Sequence, residues 1–316
     1  MGLIQYAYLF VYLFALISLF IYGINCYILM VFYLINYPKT IKRHEEVKVN
    51  FYKKIPSKSW PNTTIQLPIY NELYVAERLI ESVCRIDYPK NLLQIQVLDD
   101  STDETTEIAR TTVKKMKNQG FDIDYNHRTD RTGYKAGALK EGLKSAKGEL
   151  IGIFDADFVP NSDFLKESVP YFVDPNVGMV QTRWGHLNSD YSLLTRAQSM
   201  GIDGHFGVEQ ASRAWSGLFM NFNGTAGVWR KITIEDAGGW QADTLTEDLD
   251  LSYRAQMKGW KLIFAPQVEC PAEVPVTITA FKSQQHRWAK GSIQTAKKNL
   301  GKLFKSNAPI FLKIQA

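Results

Sequence analysis

Two hydropathy patterns divide the chain. Residues 3–34 are almost continuously apolar, well beyond the ~20 residues a helix needs to cross a bilayer. Tyr6, Tyr8 and Tyr12 stand at one end and Tyr33 and Tyr37 at the other, as in interfacial aromatic belts. Pro38 closes the run. A cleaved signal peptide needs a positive start and a shorter apolar core, and the sequence has neither. The pattern predicts a transmembrane helix over 1–38, followed by a short basic linker over 39–60.

After the linker the pattern alternates. Short β-type runs at 63–69, 93–98, 123–125, 150–154 and 178–182 are separated by helical stretches at 75–85, 103–117, 135–146 and 162–172. Apolar residues in the helices recur at three and four, as Leu79, Val83 and Ile86 do. Strands alternating with helices imply crossover connections and an α/β fold on a mostly parallel central sheet. Ligands of such sheets bind beyond the carboxyl ends of the strands.

Charge sharpens this division. Residues 1–38 carry no charged side chain, so all 37 Lys/Arg and 32 Asp/Glu lie in the remainder, an ordinary density for a folded domain. Residues 39–58 hold seven Lys/Arg against two Glu, and 282–316 hold eight Lys/Arg and no acid. The body between them is net acidic. Basic excess confined to two flanks argues against nucleic acid as a partner and suits a domain held against an anionic lipid bilayer. By the positive-inside rule the N-terminus faces outside or into a lumen, and the body lies in the cytoplasm. Cys26, Cys84 and Cys270 are too few and scattered for a disulfide framework or a zinc site.

The expected strand ends are acidic. The first run leads into Tyr70-Asn71-Glu72, the second into Asp99-Asp100-Ser101, the fourth into Asp155-Ala156-Asp157. Carboxylates converging on one rim repel unless a cation or hydrogen-bond donors compensate. Two carboxylates spaced i, i+2 beyond a strand can direct oxygens at one hard divalent ion, for which Mg²⁺ or Mn²⁺ is suited. Asp-rich turns also cap helices, a role open to Asp103 and Ser101; acidic ends on two strands favour a site. Neither a G-x-G-x-x-G after the first strand nor a G-x-x-x-x-G-K-[ST] is present, so a dinucleotide dehydrogenase or P-loop NTPase lacks its phosphate cradle. A bound diphosphate would instead need a metal and cations such as Lys135 and Arg287. Thr246-Glu247-Asp248 opens a helical stretch, where first-turn acids also suit the helix dipole. Gln284-Gln285-His286-Arg287-Trp288 lies in a later one.

Taken in order, Asp99-Asp100, Asp155-Ala156-Asp157, Thr246-Glu247-Asp248 and Gln284-to-Trp288 resemble the D, DxD, TED and QxxRW motifs of processive glycosyltransferase family 2 enzymes. That group includes cellulose, chitin, hyaluronan and mannan synthases. The wording at 96–102 (QVLDDST), 133–140 (GYKAGALK), 154–158 (FDADF) and 223–230 (NGTAGVWR) is similar to plant cellulose-synthase-like mannan and glucan synthases. The resemblance implies a GT-A fold over 61–288, a nucleotide-sugar donor (UDP-glucose or GDP-mannose), a glycan acceptor and inversion at the sugar C1. Carried over by position, it implies that Tyr70, Glu72, Asp99 and Asp100 hold the nucleoside and that Lys135 and Asp155 sit near the diphosphate. Asp155 and Asp157 would ligate the metal, and Gln284 and Arg287 would clamp the diphosphate. Asp248 would be the general base, with Trp288, Glu247, Gly224 and Thr225 at the acceptor. One base without a second carboxylate nucleophile fits a single displacement. Transfer of one sugar to a lipid such as ceramide or polyprenyl phosphate, or a non-catalytic nucleotide-sugar-binding subunit, are the competing readings.

The resembling synthases carry several transmembrane helices after the last motif. Over 289–316 this chain places Ile293, Ala296, Leu300, Leu303 and Phe304 on one helical face, with Lys298, Lys302 and Lys305 opposite. That reads as an amphipathic helix lying on the bilayer, with further membrane helices or subunits for polymer export expected beyond it.

Overall fold

The computed structural model describes residues 2–315. Its apolar run and the basic stretch after it form one helix, α1 (Leu3–Lys54), roughly 78 Å long at 1.5 Å per residue. The first part of the apolar run projects away from the body, with Tyr8, Phe14, Phe20 and Tyr22 exposed, whereas Leu29 is buried and Tyr33 packs on Trp215; the run is long and apolar enough to cross a membrane. Pro38 lies inside the helix and does not end it. A proline inside a helix removes one backbone donor and crowds the carbonyl four residues before it, a cost that packing must offset. The stretch expected as a linker therefore stays helical to Lys54, held by packing: His44 and Phe51 are buried against the body.

That body is built on seven strands: β1 (Thr63–Ile69), β2 (Leu93–Asp99), β3 (Asp122–His127), β4 (Leu150–Ile153), β5 (Val177–His186), β6 (Gly227–Arg230) and β7 (Lys261–Ala272). Their spatial order is β3-β2-β1-β4-β6-β5-β7. β1 pairs in parallel with both β2 and β4, while β6 runs antiparallel to β4 and β5. Helices α2 (Ala76–Cys84), α3 (Thr105–Asn118) and α4 (Tyr134–Ser145) supply the crossovers. Ile65, Leu67, Ile95 and Val97 are buried on one face and Thr64, Gln66, Gln94 and Gln96 on the other, as expected of strands covered on both faces. In α2 the buried stripe is Leu79, Ile80 and Val83, matching the spacing seen in the sequence.

This topology fixes where a ligand can sit. From β1 the chain steps to β2 and β3 on one side, while β4 lies on the other. The crevice outside the carboxyl ends of β1 and β4 is thus a topological switch point. Because β6 is antiparallel, its first residue, Gly227, pairs with the last residue of β4, Ile153. The loop before β6 therefore reaches the same rim. Of the later helices, α5 (Phe164–Ser168), α7 (Ala211–Trp215), α9 (Glu247–Met257) and α10 (Ile278–Lys305) matter most here, α10 packing against α9.

Candidate active site

At the end of β2 the two aspartates are tied into the protein. Asp99 is fully buried; its Oδ1 accepts the Ser101 amide at 2.9 Å, and its Oδ2 accepts the Tyr125 hydroxyl at 2.6 Å and lies 3.1 Å from His127 Nδ1. Burial alone would raise its pKa, but these Ser101, Tyr125 and His127 contacts outweigh it and hold the carboxyl below its ordinary value. Asp100 receives both ends of the Arg128 guanidinium, with Nε donating to Oδ1 at 2.7 Å. Asp99 thus sits behind the rim, and both oxygens of Asp100 are engaged by Arg128. Beside them Tyr70 is partly exposed, with the Arg131 guanidinium 3.1 Å above its ring.

Beyond β4 the balance is different. Asp155 is ion-paired with Lys135, the second residue of α4, whose ammonium also donates to the Gly224 carbonyl at 3.0 Å. Partial burial would lower the Lys135 pKa; Asp155, Glu247 and Asp248 outweigh it and hold the amine charged. Asp157 is pushed up to about 7 by burial and by the charges of Asp155 and Glu72. Hard oxygen donors with so little compensating charge suit a divalent cation. Among the described residues no group of three His, Cys, Asp or Glu is arranged to hold an ion. An ion here would therefore take two carboxylates and complete its shell with substrate phosphates, the usual Mg²⁺ habit.

The third wall is the start of α9. Asp248 Oδ1 accepts the Leu249 amide at 2.8 Å. Gly224 has φ +83°, and a Cβ there would lie 2.9 Å from Asp248 Oδ2 and 3.5 Å from Lys135 Nζ. Glycine at 224 thus serves both the left-handed backbone and the close approach of the two charged side chains. Burial, then the neighbouring Glu247 carboxylate, raises Asp248 to about 7, with Lys135 opposing. Burial raises Glu247 too, countered by Lys135 and, from α10, Arg287. Thr225 is buried, and its hydroxyl accepts the Asp155 amide at 2.9 Å; it holds Asp155 from below and does not face the rim.

Helix α10 is latched to the Thr246–Asp250 turn. Gly291 lets it close on Thr246, whose methyl would lie 2.5 Å from an added Cβ. Leu245 donates to Gln294 at 2.9 Å, Thr246 and Thr295 hydroxyls meet at 3.1 Å, and Asn299 donates to Asp250 at 2.8 Å. Lys298, expected on the exposed basic face, is bound by Gln241, Asp243 and Asp250. The buried face is therefore Gly291, Thr295, Asn299 and Leu303, while Ile293 and Phe304 of the expected apolar stripe stay exposed. The latch carries Gln284, Arg287 and Trp288 in the first part of the same helix. Gln284 and Trp288 are half-buried, and Trp288 lies 6.4 Å from the Trp184 ring.

Sequence reasoning missed several contributors. Arg128 and Arg131 lie just ahead of the Gly133-to-Ala138 stretch, and that nearness was their only signal. Trp184 on β5 gave none, nor did the π-helical turn His205–Gln210, whose His205 bridges Glu209 and Asn223 at 3.0 Å each. Among the described residues, the non-glycine positions with positive φ are Asn71, Tyr134 and Ala226. Each adjoins Tyr70 and Glu72, Lys135, or Thr225. Backbone strain of ~1–3 kcal/mol per residue that gathers this way is typical of functional sites.

The family described as Glycosyltransferase like family 2 matches residues 61–291. Glucomannan 4-beta-mannosyltransferase 2 of Arabidopsis thaliana is 40% identical over 280 residues, 87% of this chain and 52% of that protein. Glucomannan 4-beta-mannosyltransferase 1 of Cyamopsis tetragonoloba is 44% identical over 247 residues, 77% of this chain and 47% of that protein. The chain spans about half the length of the curated relatives it matches. Among solved structures, mannosyltransferase PcManGT from Pyrobaculum calidifontis, in complex with GDP-Man and Mn²⁺, superposes with a TM-score of 0.65 at 23% identity, covering 91% of this chain and 78% of that one. S. aureus TarS superposes at 0.56 and 15% identity, over 80% of this chain and 41% of its own. These likenesses establish the GT-A fold.

Proposed function

The chain belongs to the Glycosyltransferase like family 2, and within it we propose that the protein transfers mannose from GDP-mannose to a growing β-1,4-mannan, with inversion at C1. One observation carries the reading. Asp248, raised to about 7, is seated against Gly224 and Lys135 on the rim that also holds Asp155 and Asp157. The names of the relatives, glucomannan 4-beta-mannosyltransferases, and the GDP-Man bound by the Pyrobaculum enzyme point to the sugar.

The residues divide the work as follows. An acceptor hydroxyl attacks the mannose C1, the C1–oxygen bond to the diphosphate breaks, and the hydroxyl proton passes to Asp248. A carboxylate titrating near neutrality is well matched to taking that proton. Lys135 and Arg287 offset charge that develops on the leaving diphosphate, and Gln284 offers it a hydrogen bond. Asp155 and Asp157 would hold Mg²⁺ or Mn²⁺, which when bound supplies further charge neutralisation. Tyr70, Glu72 and Arg131 line the nucleoside end; Asp99 and Asp100 shape it from behind through Tyr125, His127 and Arg128. Trp288 and Trp184 offer apolar ring faces to the acceptor sugar beside Glu247. With α1 in the bilayer, its N-terminus outside or lumenal, the site faces cytoplasmic nucleotide sugars, and further membrane helices or other subunits carry the product across.

The test incubates membranes bearing the protein with GDP-mannose or UDP-glucose and measures released nucleoside diphosphate and product size. A mannan ladder from GDP-mannose is expected. A single sugar on lipid would assign the chain to lipid glycosylation, and donor binding without turnover would make it a non-catalytic subunit.

A further inference from the structure

At the opposite end of the sheet from the rim, by the amino ends of β5 and β7, lies a cavity of about 760 Å³, within the range of ligand pockets. One wall is the part of α1 beyond Pro38; the others are the β5 and β7 starts and helix α7 (Ala211–Trp215) with its following turn. The lining is largely apolar and aromatic, including Val47, Phe51, Leu218, Trp260 and Phe264. Its acid, Asp174, is held by Lys261 at 3.0 Å. His44, Tyr171 and Trp215 also line it, and each carries a buried polar ring atom or hydroxyl with no protein hydrogen-bond partner. Unmet polar atoms of this kind ask for an explanation in a native fold.

Two observations tie the cavity to the membrane. Trp215, a wall residue, stacks on Tyr33 at 5.5 Å and lies 5.9 Å from Tyr37, the tyrosines that end the apolar run. The cavity mouth therefore opens at the level where an aromatic belt would sit. Arg43 stands at that mouth, exposed, with no carboxylate partner among the described residues. Lys39 and Lys42 precede it on the same stretch of helix, and the exposed Glu45 and Glu46 that follow it lie outside the cavity lining. Cations at the rim and apolar walls within are complementary to an anionic head attached to a hydrocarbon chain. A free anion would leave the walls uncovered, and a neutral apolar ligand would leave Arg43 unmatched.

We propose that this cavity binds an anionic phospholipid of the adjoining leaflet, its phosphate at Arg43 and one acyl chain turned out of the bilayer along Val47, Phe51 and Trp260. The site is separate from the sugar-transfer rim and rests on α1 being membrane-embedded. Occupied, it ties the start of β7 to the bilayer through lipid as well as through α1.

The test uses the whole chain in detergent micelles, titrated with phosphatidylglycerol brominated on its acyl chains, and reads tryptophan emission. α1 contains no tryptophan, so lipid merely surrounding that helix is not reported by residues within it. Saturable quenching is expected, with the Trp260 share missing in Trp260→Phe. Arg43→Glu removes and reverses one interfacial charge and is expected to weaken the midpoint about 30-fold, each step counting for roughly a five-fold preference; Arg43→Gln shifts it about half as far on a logarithmic scale. Thermal melting of each variant confirms that it folds. Equal quenching of wild type and both Arg43 variants overturns the proposal. Displacement by millimolar inorganic phosphate overturns it in favour of a free-anion site. Flotation with liposomes is measured alongside: failure to float sinks the membrane reading itself, whereas flotation without Trp260 quenching sinks the lipid site alone.

Discussion

Asp99-Asp100 and Asp155-Ala156-Asp157 follow strands that flank β1 on either side, and their electrostatics are opposite. The first pair is met by Ser101, Tyr125, His127 and Arg128, and Asp99 is held below its ordinary pKa. In the second set Asp155 has Lys135, while Asp157 is raised to about 7. Acidic strand ends that look alike in sequence thus do different work. Where donors meet the charge, the carboxylate is framework; where they do not, it stays under-neutralised, which is what the proposed function draws on.

The largest expected effect sharpens that contrast at the under-neutralised end. Chelation with EDTA should reduce mannose incorporation by about 10³-fold, the several kcal/mol that a divalent ion contributes to charge stabilisation, and Mn²⁺ or Mg²⁺ should restore it. Undiminished activity in EDTA would show that Asp155 and Asp157 need no ion. At the paired end, Arg128→Ala leaves Asp100, which is 5% exposed, without its cation. It should destabilise the protein by about 3 kcal/mol, read as a lower melting temperature. Asp157→Asn in metal-free protein should instead raise the melting temperature, because it removes repulsion. If both variants shift it the same way, the contrast fails.

How far these differences could be read from sequence varied with the range of the interaction involved. β1 runs over 63–69 as its apolar run predicts, and β2 extends one residue further, to Asp99. β7 escaped notice because Pro266 and Pro271 interrupt its pattern; at the edge of the sheet, beside β5, it tolerates them. β6 is four residues long, and its antiparallel direction is a property of the sheet. Pro38 marks the end of the apolar run but not of the helix, since tertiary packing of His44 and Phe51 carries α1 onward. In α10 the apolar stripe was plain, yet the buried face is polar because it docks on the charged start of α9. The motif resemblance singled out Asp248, Lys135 and Asp155, and the structure brings the three side chains together around Gly224. That Thr225 holds the Asp155 amide, or that Arg128 consumes Asp100, depends on contacts between distant segments that no local pattern encodes.

Smaller effects probe the rim itself. Gly224→Ala forces a side chain into left-handed backbone and against Asp248, a cost of about 1–2 kcal/mol, and should lower kcat roughly tenfold while donor KM changes less. An unchanged kcat would mean that Gly224 does not set the Asp248 position. The pH dependence of stability should run in opposite directions for the two acidic ends. Asp157, raised to about 7, binds its proton more tightly when folded, so its contribution to stability falls as pH rises from about 4 to about 7. Asp99, lowered, stabilises above its unfolded pKa of about 3.9, and that contribution is lost as pH falls through its folded value. Saturating Mn²⁺ should therefore raise the melting temperature more at about pH 7.5 than at about pH 5.5, because the ion competes with protons at the same carboxylates. An equal rise at both would place the ion elsewhere.

The most direct test of the central claim is Asp248→Asn, assayed for mannose incorporation and for GDP binding on the same preparation. Loss of a general base predicts a fall of about 10³-fold in incorporation with GDP affinity kept within about twofold. Incorporation at the wild-type rate would contradict the assignment of Asp248 as the base.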